Sequence, residues 1–133
     1  MNTGAFFDSN MLIYVVSEDD AKAEMAEKLM SGGGTISVQV LNEFAWVSSR
    51  KLKKTIGEIR KALSAVRSVC QVVPVDIETH DLGLDIAERY KFTTYDSMLV
   101  AAAVRASCTV FYTEDLQHGQ RIEGLTVRNP FIS

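Results

Sequence analysis

Short apolar runs bounded by polar residues alternate along this chain with longer segments whose apolar positions recur at helical spacing. Ala5-Phe6-Phe7 reads as a short buried strand ending at Asp8, and Met11 to Val16 as a helix capped by Ser9 or Asn10. Ser17 offers the cap of a second helix, about Ala21 to Met30, with Asp19 and Asp20 in its first turn. Its apolar side carries Ala23, Ala26, Leu29 and Met30, and Ser31-Gly32-Gly33-Gly34 stops it. Thr35-Ile36-Ser37 is a second strand, and Ser37 caps a third helix reaching about Arg50. In that helix Leu41, Phe44, Ala45 and Ser48 share one face. Thr55 opens a basic helix with the stripe Ile56, Ile59, Leu63 and Val66.

Val69 to Val75 is the clearest strand, β-branched and containing Pro74 near its end. Glu78 to Tyr90 is helical, and Thr94 caps a further helix from Tyr95 to Ala106. That last helix is apolar nearly all round, which predicts burial. Thr109 to Tyr112 and Leu125 to Arg128 complete the strands. Strands separated by helices argue for an α/β fold with a mainly parallel sheet. Two consecutive helices after the first strand make the pattern less regular than a simple βαβ array.

A length of 133 residues is expected to form a single domain spanning 1–133. At 47% hydrophobic and 23% charged, the composition is globular and excludes a disordered chain. The longest apolar run, Met98 to Val104, is too short to span a bilayer. The N-terminus lacks a basic region and sets Asp8 in its first apolar stretch, so no signal peptide is expected. Cys70 and Cys108 match no zinc spacing and suit a reducing, cytoplasmic compartment as buried small hydrophobes. Net charge is only −3, but seven basic residues face one acid between Arg50 and Arg67.

The candidate chemistry lies in four carboxylates, Asp8, Glu43, Asp96 and Asp115, each at a boundary between apolar and polar sequence near a helix start. Acids so placed carry a desolvation cost unless something positive compensates them. Ligands of an open parallel sheet sit beyond the carboxyl ends of its strands, and all four acids can face that end. Such a cluster suits Mg²⁺ or Mn²⁺, which prefer oxygen ligands. A carboxylate-held ion in an open site in turn suits phosphodiester hydrolysis. Taken singly, each acid is better explained as a structural, helix-end residue; taken jointly, the four favour chemistry. Aspartyl phosphoryl transfer fits less well, because a haloacid-dehalogenase-like phosphatase would want an acid where Asn10 stands.

The segments FFDSNMLIY, VLNEF, YDSMLVAAA and YTEDLQHG resemble, in order and spacing, the four acidic motifs of PIN-domain nucleases, especially VapC toxins of toxin–antitoxin pairs. The resemblance implies a Rossmann-like three-layer α/β/α sandwich and an endoribonuclease dependent on Mg²⁺ or Mn²⁺. It also implies an RNA substrate, a cognate antitoxin that neutralises the enzyme, and a homodimer. Carried over, Asp8 and Asp96 become the principal metal ligands, with Glu43 and Asp115 binding a second ion or orienting water. Asn10 and Thr113 become polar supports. The pattern Thr-x-Asp selects Asp115, while a shift of one residue would promote Glu114. The alternative is a catalytically silent PIN-like module that binds RNA or antitoxin.

The remaining features are weaker signals. Arg50, Lys51, Lys53 and Lys54 read as an RNA-backbone track, an antitoxin-facing patch or a solvated face. Gly32-Gly33-Gly34 follows a helix and lacks the Gly-Lys-Ser/Thr of a phosphate loop. His118 is a peripheral candidate beside Asp115, and His80 an exposed helix residue. Trp46 and the pair Tyr90 and Phe92 read as packing residues in preference to base platforms.

Overall fold

A computed structural model describes residues 4–132. The chain runs β1 (Ala5–Phe7), α1 (Ser9–Val15), α2 (Asp20–Ser31), β2 (Gly34–Ser37), α3 (Val38–Arg50) and α4 (Ile56–Val69). It continues through β3 (Cys70–Val73), α5 (Ile77–Tyr90), α6 (Thr94–Arg105), β4 (Val110–Tyr112), β5 (Arg121–Ile122) and β6 (Leu125–Arg128). The strands form one sheet in the order β3-β2-β1-β4-β6-β5, parallel throughout except for the β5–β6 pair. This is the α/β sandwich with a mainly parallel sheet that the alternating pattern predicts. Each of the first three crossovers carries two helices, which explains the irregular βαβ rhythm.

The first three strands step outward from β1 to one edge, and the chain then returns to place β4 on the opposite side of β1. The order of strands therefore reverses between β1 and β4, and in open α/β sheets ligands bind beyond the carboxyl ends of the strands at such a switch point. Register at this junction is fixed by aromatic pairs. Phe6 stacks on Phe111 at 5.4 Å between ring centroids, and Phe7 on Tyr112 at 5.7 Å. The strands are short and wholly apolar because both faces of this junction are covered by helices. Every residue of β1 and β2 is buried.

Gly34 stands where the sheet permits no side chain: a Cβ there would lie 2.4 Å from Phe7 Cε2 and 3.1 Å from the Ala5 carbonyl oxygen. The glycine run thus ends one helix and also lets β2 close against β1. Gly83 plays a similar part between α5 and α6, where a Cβ would meet Met98 Sδ at 2.5 Å. The α6 helix buries Ser97, Leu99, Val100, Ala101, Ala102 and Ala103, as its all-round apolar character predicts.

Several local expectations are corrected. Asp8 itself caps α1, Asp19 in place of Ser17 caps α2, and Thr93 in place of Thr94 caps α6. Ser37 occupies the cap position of α3 without a capping side-chain bond. The third strand stops at Val73, because Asp76 caps α5 through the Thr79 amide at 2.9 Å and the chain must turn before it. Trp46 is 57% exposed and does not pack in the core, whereas Tyr90 and Phe92 do stack on each other. Cys70 and Cys108 are both free and buried, and burial pushes the Cys70 thiol up to about 11. Among the described residues no helix is long and apolar enough to cross a membrane.

Candidate active site

Asp8 is the first residue beyond β1, and Thr113 the first beyond β4. The pairing of Phe7 with Tyr112 therefore sets them side by side. The Asp8 amide donates to the Tyr112 carbonyl at 3.0 Å, carrying the ladder one step further. Asp8 is only 3% exposed, yet both carboxylate oxygens have donors. Oδ1 accepts from the Ser9 amide at 2.6 Å and the Ser9 hydroxyl at 3.2 Å, and Oδ2 accepts from Thr113 Oγ1 at 2.7 Å. Thr113 Oγ1 also accepts from the Asp115 amide at 3.0 Å, so one buried hydroxyl couples the first acid to the loop that carries the last.

These donors do not offset the burial. Desolvation first, then the negative charges of Asp115 and Glu43, push the Asp8 carboxyl up to about 7 against the bonds from Thr113 and Ser9. Asp96, in the first turn of α6, is half-buried and raised by desolvation, then by Asp115 and Glu43. Asp8 and Asp96 thus both lie in the fields of Glu43 and Asp115 near the switch point. None of the four makes an ion pair among the described residues.

Each of three carboxylates is also turned to a donor of its own. Glu43 accepts the hydroxyl of Tyr95, whose phenol is raised by desolvation first and by this contact second. Asp115 Oδ2 accepts from Asn10 Nδ2 at 3.4 Å, and Asp8 is held as described. Among the described residues no three Asp, Glu, His or Cys side chains stand close enough together to grip an ion as they are. The donor set nonetheless fits a hard divalent cation. It consists of oxygen ligands without thiol or imidazole, it carries uncompensated charge, and Asn10 Oδ1 is buried without a partner.

Glu114 faces elsewhere. It accepts the Tyr14 hydroxyl and pairs with Lys22 at 3.2 Å, while the Lys22 ammonium lies 4.5 Å from the Tyr14 ring centroid. His118 accepts from the Asn129 amide at 3.0 Å through Nδ1 and is exposed in its loop. Arg50 ends α3, with Lys51, Lys53 and Lys54 in the loop after it, and all four are exposed without an ion pair among the described residues. Sequence reasoning missed Ser9 as a donor to Asp8 and Tyr95 as the partner of Glu43. For Tyr95 a signal existed, since it shares the single polar turn of α6 with Asp96.

Comparison with known proteins agrees with this architecture. The PIN domain family matches residues 5–121. Among curated proteins, none matches the chain by sequence. A chain of a toxin–antitoxin complex from Klebsiella pneumoniae superimposes with a TM-score of 0.73 at 20% identity, covering 96% of this chain and 98% of that one. A chain of VapBC2 from Rickettsia felis, bound to a DNA fragment from its promoter, gives 0.69 at 17% identity over 94% and 97%. VapC20 of Mycobacterium tuberculosis, a toxin that cleaves the sarcin-ricin loop, gives 0.65 at 16% identity over 84% and 91%. With the family matched over most of its length and the same fold in these structures, the chain belongs to the PIN domain family.

Proposed function

We propose that this chain is a single-domain, toxin-type endoribonuclease that hydrolyses RNA with Mg²⁺ or Mn²⁺ and is neutralised by a cognate antitoxin. The observation that carries the reading is that Asp8 and Asp96 both lie in the fields of Glu43 and Asp115 near the β1–β4 switch point, with no ion pair to any of the four among the described residues. The antitoxin follows from the fold shared with toxin–antitoxin complexes, and RNA as substrate from likeness to a toxin that cleaves the sarcin-ricin loop. A homodimer and a cytoplasmic location accompany the same reading.

Asp8 and Asp96 would hold the ion, with Glu43 and Asp115 completing the ligand set. When bound, it would neutralise phosphoryl charge and lower the pKa of water at the scissile phosphate. The Ser9 amide and hydroxyl and the Thr113 hydroxyl fix the Asp8 carboxylate, so its orientation precedes substrate. Asp115 is set by the Thr113 contact to its amide and by Asn10. Tyr95 restrains Glu43. Glu114, tied to Tyr14 and Lys22, supports the loop and stays out of the ligand set.

Purified chain incubated with RNA and Mn²⁺ is expected to cleave, and chelator, Asp8→Asn or Asp96→Asn each to abolish cleavage. Cleavage that persists through chelation or either substitution overturns the assignment. A chain that binds RNA or antitoxin and cleaves none of a varied RNA set would instead be the silent module.

A further inference from the structure

Trp46, the only tryptophan of the chain, stands 57% exposed on the solvent side of α3. Tyr95, 46% exposed, faces it across a groove of about 640 Å³ that Asn42, Glu43, Val47 and Lys51 also line. The groove adjoins the candidate ligand set, because Glu43 belongs to both and Tyr95 bonds to it. The Arg50 guanidinium lies 5.6 Å from the centre of the Trp46 ring, and Lys51 adds a second cation at the groove.

We propose that this groove is a base-stacking subsite for the RNA strand, in which an unpaired base lies on Trp46 while Arg50 and Lys51 meet its flanking phosphates. The inference rests on the nuclease reading and adds the place where the strand is gripped. A flat aromatic ring beside cations matches single-stranded nucleic acid: the ring takes any base face and the cations take the backbone. An apolar partner would fit the ring but would desolvate a basic rim that has no ion pair among the described residues. A base held here lies in a groove that Glu43 also lines, next to the candidate ligand set.

Binding is read with chelator present, so that no strand is cut. Octaadenylate is expected to quench the fluorescence of Trp46, while an abasic ribose-phosphate oligomer of equal length binds without quenching. By anisotropy of labelled oligomers, Trp46→Ala weakens octaadenylate binding about tenfold, Trp46→Phe restores most of it, and abasic binding changes in neither. Lys51→Gln lowers the salt dependence of both oligomers by about one phosphate contact. Absence of quenching together with equal affinity of Trp46→Ala and wild type overturns the subsite. If Trp46→Ala instead converts a dimer to monomer in sedimentation at unchanged RNA affinity, the groove belongs to a second copy and the proposal fails. Wild-type chain that cleaves RNA no better than Trp46→Ala, at equal kcat/KM, overturns the subsite alone. Wild-type chain that neither binds nor cleaves RNA overturns the nuclease reading with it.

Discussion

At the scale of single residues, Thr113 is the most economical part of the site. Its one oxygen donates to Asp8 and accepts from the Asp115 amide, so Thr113→Val removes two hydrogen bonds while keeping the shape. The loss of both partners is expected to cost about 1–3 kcal/mol in denaturant unfolding. Cleavage is expected to slow roughly ten- to a hundredfold, as for other groups that orient metal ligands, with little change in KM. A rate equal to wild type would show that Asp8 needs no such restraint. The candidate acids stand out in the sequence by type, because acids in apolar surroundings demand an explanation. Between the adjacent acids Glu114 and Asp115, the Thr-x-Asp pattern selects the second, but one residue of slip would reverse the choice. Only three-dimensional structure shows Lys22, from α2, drawing Glu114 aside. Trp46 was misjudged by its size: it lies two positions from the buried Phe44, a helical step that already points it toward solvent.

At the scale of elements, close approaches and caps decide where strands and helices begin. Gly34→Ala would drive a methyl group into the Phe7 ring and is expected to lower stability by about 1–3 kcal/mol, read as a fall in the thermal midpoint. Asp76 caps α5 and pairs with Arg105 at 2.8 Å; the Thr79 hydroxyl and amide chiefly hold its carboxyl below the usual range. A carboxyl lowered by folding adds stability above its unfolded pKa and loses it as pH falls through the folded value. Asp76→Asn still caps the helix but cannot titrate, so its stability should fall less steeply on acidification than that of wild type. Parallel acid limbs for the two proteins would contradict this. Helices and long apolar strands were legible because periodicity and burial coincide. The caps slipped by one or two residues where several polar side chains stand together, as at Ser17 to Asp20 and Thr93-Thr94. The strand β5 was hidden because its two-residue turn to β6, Glu123-Gly124, has positive φ at both positions, 50° and 87°, and glutamate is not a usual signal for that turn. Glu123 is anchored there by Arg89 at 2.6 Å and Tyr90 at 3.1 Å.

At the scale of the whole molecule, ion binding and folding are one equilibrium if the acids hold a cation. Ligand at a hundredfold excess over its dissociation constant adds about 2.7 kcal/mol, or roughly 10 °C in the thermal midpoint of a chain this size. Mn²⁺ is therefore expected to raise the midpoint of wild type by that order and to leave Asp8→Asn nearly unmoved. In chelator above neutral pH the order should reverse, with Asp8→Asn the more stable protein, because it carries no buried charge. The adjacency of β1 and β4 has a further consequence, for the timing of synthesis. Asp8 emerges from the ribosome more than a hundred residues before its neighbours Thr113 and Asp115. Contacts so distant along the chain form late in folding. The strand that completes the candidate site is thus made long after the one that begins it, and a nascent chain carries no assembled acid set until then.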